Sequence, residues 1–187
     1  MKLHRPGDTL IEVLFAFAIL STVIGVMFSG ALGSYKSAVN AQDRTTALFL
    51  AQYQADGLKS YRDSIAWDQA SGQQYSFLDA NAGAALDNAA GQQSLVVVRS
   101  LATNNTAFCM NQPTSSYIYW KIVTTPSDCK SIASALAPSL QDADININIA
   151  LANDSNSATA TIKVKWRARN SGQIENVTNT ILLTKQK

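Results

Sequence analysis

The chain has 187 residues, with 15 Lys and Arg against 13 Asp and Glu, a formal charge of +2. Lys2 and Arg5 lie within the first seven residues, so 15 less 2 leaves 13 cations against 13 acids beyond them. No global attraction to nucleic acid follows from that balance. The sole histidine, His4, sits in the same short stretch, which leaves the rest of the chain without a Ser-His-Asp or Cys-His arrangement.

Residues 1–7 form a short basic leader. Behind it, DTLIEVLFAFAILSTVIGVMF opens on Asp8 and becomes a largely apolar run with one acid near its front, Glu12. Val13 to Phe28 is a run of 16 residues interrupted only by Ser21, Thr22 and Gly25. With Ser29, Gly30, Ala31 and Leu32 it approaches the ~20 residues a helix needs to cross a bilayer. The cations on its N-terminal side keep the amino terminus cytoplasmic and make the segment a single pass. A carboxylate at the edge of the hydrocarbon is costly and rarely tolerated without a partner or a function. Two other readings stay open here. Ser29-Gly30-Ala31 has the small-x-small form of a secretory cleavage site, and the segment also suits an uncleaved anchor.

Gly7-Asp8-Thr9-Leu10-Ile11-Glu12-Val13 resembles the prepilin peptidase signature of type IV pilins and of the pseudopilins of type II secretion. The resemblance implies cleavage between Gly7 and Asp8 by prepilin peptidase and N-methylation of Asp8. It implies a single-pass precursor in the bacterial inner membrane, lodged in lipid. An assembly platform and its ATPase would then extract the helix into a filament of pilin subunits. Glu12 would pair with the terminal ammonium of a neighbouring subunit and set register. Opposite charges attract strongly in a low dielectric, and an unpaired one is expensive. Asp8 stands where the family most often has phenylalanine or another apolar residue. Its charge can partly satisfy the new ammonium within one chain, which fits a low-abundance subunit.

The implied function is a minor type IV pilin, a structural and assembly subunit of an extracellular pilus, not an enzyme and without a cofactor. The alternatives are a type II secretion or competence pseudopilin at the periplasmic or cell-envelope side, and a membrane-anchored binding module that never polymerises. The organisation expected is a leader at 1–7, a transmembrane or filament-core helix at 8–33, its amphipathic continuation at 34–63 and a head at 64–187.

The continuation carries Tyr35, Val39, Gln42, Thr46, Phe49, Tyr53 and Gly57 at spacings of three or four, widened by Ala38 and Leu50. No proline interrupts it, and residues 59–63 should close it. Residues 64–93 are rich in Ala, Gly, Asn and Gln and read as a variable connection, with a short helix around 82–89. The part from 94 to 187 reads as strands: 94–99, 117–123, 144–151, 160–167 and 174–183. Asn170-Ser171-Gly172-Gln173 supplies a hairpin turn between the last two. The fold class is therefore α+β, a long N-terminal helix whose second half carries a C-terminal antiparallel sheet. The last hairpin also resembles that of many minor pilins.

Cys109 and Cys129 are the only cysteines, and an even count in an exported chain reads as a disulfide. Asp142 and Asp144, with Asn146 or Asp154 nearby, are the closest approach to a calcium site. EF-hand spacing is absent, so they read as a solvated polar face and no metal is expected. Lys163, Lys165, Arg167 and Arg169 fall on one face of their strand. Such a row can contact nucleic-acid phosphates or an anionic polymer. The favoured reading is a soluble sheet face, because the charges balance and the nearest aromatics point inward.

Overall fold

A computed structural model of the protein describes residues 8–64, 98–112, 120–152 and 157–185. The leader with Gly7, the connection at 67–93, residues 94–97 and 117–119 of two expected strands, and Asp154 lie outside the described residues. The chain divides into two compact units between Gln42 and Asp43, and helix α1 (Asp8–Ser64) contributes to both.

In the first unit, α1 is apolar on every side. A run of apolar residues interrupted this rarely has no polar stripe to turn towards water, so such a helix needs an apolar surrounding. Each described residue from Leu10 to Ala38 is exposed. The most apolar 18-residue window has a mean hydropathy of 2.4 and none of it is buried within the chain. The helix is long and apolar enough to cross a membrane once. Ser21 and Thr22 fit that surrounding because their hydroxyls donate back to the carbonyls of Ala18 (2.9 Å) and Ile19 (2.7 Å).

In the second unit, the back of α1 buries Asp43, Ala47, Leu50, Ala51, Gln54, Ala55, Leu58 and Tyr61. This stripe is rotated from the one expected. Leu50 belongs to it, but Phe49 is 68% exposed and Tyr35 lies in the first unit, equally exposed. Three alanines four residues apart (47, 51 and 55) let the rest of the head approach the helix backbone, which a phenylalanine would prevent.

The main sheet has the order β3-β4-β5, all antiparallel. Its strands are β3 (Gln141–Leu151), β4 (Ser157–Arg167) and β5 (Ile174–Thr184), each 11 residues long. The alternation legible in the sequence is the alternation of burial. Ile145, Ile147 and Ile149 from β3 face the core with Ile162, Val164 and Trp166 from β4, while the intervening polar residues face out. Gly172 takes φ 67° in the β4–β5 turn, a conformation that favours glycine. The turn closes through Gly172 N–H to the Ala168 carbonyl at 2.8 Å.

The remaining expectations need correction. The segment expected as a strand at 94–99 ends in helix: Val98 and Arg99 begin α2 (Val98–Thr103), which packs on β3. Of 117–123, Lys121–Val123 is a strand, β2, and among the described residues it joins no larger sheet. It pairs antiparallel with β1 (Cys109–Asn111) as a separate two-stranded ribbon. Between β2 and β3 lies an unanticipated helix, α3 (Pro126–Leu136). It starts after Thr125 with proline in its first turn and Asp128 beside the positive end of its dipole, and it buries Cys129 and Ala133.

Candidate functional site

The chemistry that stands out is an acid with nothing to answer it. Glu12 is exposed on α1, and among the described residues it makes no ion pair or hydrogen bond. The next charged residue along the helix is Lys36, more than six turns away. Within the first unit Glu12 is flanked by Leu10, Ile11, Val13, Leu14 and Phe15, exposed by between 52% and 65%. A helix of this kind presents an apolar surface and one carboxylate to whatever surrounds it. The surface suits lipid or other apolar helices, and the carboxylate suits a cation supplied from outside the chain.

The head has a different construction, in which buried polar groups tie its elements together. Gln54 on α1 is fully buried. Its Nε2 donates to the Met110 carbonyl at 3.0 Å, and the Met110 N–H donates to its Oε1 at 2.7 Å. The side-chain amide thus completes the backbone pairing of β1 on its open side. Tyr53 lies edge-on to Trp120, with ring centroids 5.0 Å apart, and its hydroxyl donates to Gln112 Oε1 at 2.6 Å. Burial pushes the Tyr53 hydroxyl above its ordinary pKa, and pushes that of Tyr61 much further. Trp120 covers Gly57 so closely that an added Cβ would stand 2.6 Å from two ring carbons.

Cys109 and Cys129 form a disulfide, with Cα atoms 5.7 Å apart. It joins the first residue of β1 to α3, so the bridge encloses the whole two-stranded ribbon.

The four cations expected to form one row are divided. Lys163 stands opposite Asn146 and Thr178, and Lys165 opposite Asp144 and Asn176. Arg167 binds Asp142 at 2.8 Å. Arg169 lies beyond the end of β4 and binds the buried Asp43 of α1 at 2.7 Å, donating also to the Ser139 carbonyl. The outer face is thus a mixture of signs, with Lys130, Lys165 and Arg167 lining a cleft beside Asp142 and Asp144. A bulge in β3 separates the two aspartates: Asp142 takes φ 50°, while Asp144 resumes the strand and accepts from Asn146 Nδ2 at 2.9 Å. Among the described residues no three His, Cys, Asp or Glu side chains converge as metal ligands. The contacts of Asp43 and Gln54 had no signal in the sequence, since Asp43 lies between exposed Gln42 and Arg44, and Gln54 between exposed Gln52 and Asp56, with the same residue types.

Compared with protein-family models, with curated proteins and with solved structures, the chain shows no significant match.

Proposed function

We propose that the protein is a minor type IV pilin, a structural subunit that leaves the membrane to join a helical filament. The observation that carries this reading is Glu12, the one charged residue between Leu10 and Tyr35 in a stretch of α1 that is largely apolar and exposed. An anchor needs only the apolar surface. An acid kept at its front is explained by a cation that arrives with a partner, and cleavage after Gly7 would create that cation as the ammonium of Asp8 in each subunit. The work of the protein is then mechanical and not catalytic. Its apolar helix exchanges lipid for neighbouring helices, while the bridged head stays folded outside the membrane.

The test is the intact mass and N-terminal sequence of the protein from its native membranes. A chain beginning at N-methylated Asp8 is the expected result. A start at Leu32 would make it a released secreted domain, and an intact Met1 a fixed anchor; either result overturns the filament reading.

A further inference from the structure

A cleft of about 560 Å³ opens where α3 meets the end of the main sheet. Its walls come from α3, β3, β4 and the first residue of β5, and its volume is that of a small-molecule site. Five of the side chains lining it are charged: Lys130 of α3, Asp142 and Asp144 of β3, and Lys165 and Arg167 of β4. Two of these answer each other. The bulge carries Asp142 to φ 50°, and its carboxylate accepts from Arg167 Nε at 2.8 Å, while Arg167 Nη1 donates to the Gly172 carbonyl at 3.1 Å. The other three have no ion pair among the described residues. Lys165 stands directly opposite Asp144 in the register of β3 and β4, where opposite charges ordinarily pair, yet the two do not. Asp144 is engaged at one oxygen, by Asn146. The cleft therefore offers two ammonium groups and one carboxylate, each from a different element.

We propose that this cleft binds an amino-dicarboxylate, a small molecule of the glutamate type. Two negative groups and one ammonium are the complement of Lys130, Lys165 and Asp144. The lysines belong to separate elements, so two separate carboxylates can meet them. A single phosphoryl group would have to draw both ammonium groups to one centre, against their mutual repulsion. Asp144 takes the ligand's ammonium, and the same charge disfavours anions that carry none. Arg167 is ordered by Asp142 and Gly172 before any ligand arrives, so its remaining N–H groups can join a carboxylate at low entropic cost. The site lies wholly within the head and does not depend on cleavage after Gly7.

The test is backbone-amide NMR of the full chain in uncharged detergent micelles, titrated with L-glutamate at constant ionic strength. Saturable shifts are expected at residues 142–144 and 165–167. Lys130→Gln and Lys165→Gln should each weaken binding about threefold, the scale of a solvent-accessible charge pair. Lys163→Gln, on the same strand but outside the cleft, should leave it unchanged. Glutarate lacks the ammonium and should bind less tightly than glutamate, and Asp144→Asn should narrow that difference. Shifts that never saturate would overturn the proposal, as would equal effects of Lys163→Gln and Lys165→Gln, the mark of a diffusely charged face. Glutarate or phosphoethanolamine binding as tightly as glutamate would overturn the class of ligand.

Discussion

Arg169 Nη2 donates to Asp43 Oδ1 across 2.7 Å, joining the turn after β4 to a helix residue 126 positions earlier. Asp43 is 1% exposed, whereas the Arg169 side chain keeps 37% of its surface in solvent. The second oxygen, Oδ2, is buried and has no partner among the described residues, where Arg169 is the one group that answers this carboxylate. Arg169→Met should destabilise the head by about 2–3 kcal/mol, less than the ~3–5 kcal/mol of a fully buried pair because the arginine side chain is 37% exposed. Pairing it with Asp43→Leu should recover most of the loss, since no buried charge is then left alone. Urea unfolding of the full chain in detergent, followed by tryptophan fluorescence, measures both.

Gly57 and Trp120 form a second close pair. Alanine at 57 would gain up to ~1 kcal/mol of helix propensity, yet its Cβ would stand 2.6 Å from the indole ring. Displacing a ring packed on the helix costs about 1–3 kcal/mol. Gly57→Ala should therefore lower stability and shift the near-ultraviolet dichroism of Trp120, whereas an alanine at an exposed helix site such as Ser60 should do neither.

The disulfide spans 20 residues that include both strands of the ribbon and the region between them. Reduction, or replacement of both cysteines by alanine, should remove about 3 kcal/mol by relaxing the unfolded chain's constraint. Amide exchange should quicken first in β1 and β2, a two-stranded ribbon among the described residues, and later in the β3-β4-β5 sheet.

Tyr61 gives the head an alkaline limit. Burial raises its hydroxyl pKa above the unfolded value of about 10, so the neutral side chain favours the folded state fully below that pH. Its contribution is lost as pH rises further, because the unfolded chain ionises first. Stability against urea should fall above pH ~10, and Tyr61→Phe should flatten the decline. An unchanged slope in the variant would assign the decline to other groups.

Glu12→Gln keeps the shape of the side chain and removes its charge. On the pilin reading it should leave membrane insertion unimpaired and reduce recovery in the sheared filament fraction by at least about tenfold, the scale of one lost ion pair in a low dielectric. Equal recovery of both forms would separate the carboxylate from assembly.

Much of the architecture was written locally. The strands β3, β4 and β5 were legible because one side of the sheet is buried, and Ile145, Ile147, Ile162 and Val164 alternate with polar residues accordingly. The hairpin turn was legible in Asn170-Ser171-Gly172-Gln173, and the apolar helix in the absence of any charge between Glu12 and Lys36. Helix α3 went unread: Thr125 before Pro126 is a helix-start signal, but the short run between Pro126 and Pro138 has few strong apolar residues to reveal its period.

What the sequence by itself determined is whatever depends on neighbours in the chain: the apolar span with its lone acid, the sheet's alternation, the turn and the available pair of cysteines. Tertiary structure decided which side of the back of α1 is buried, because a close approach selects Ala47, Ala51 and Ala55 over the larger Phe49. It also decided that Val98 and Arg99 turn into a helix, and that Arg169 leaves the basic row to meet Asp43. Packing distance and buried charge exist only once distant segments have met, so no local pattern could state them.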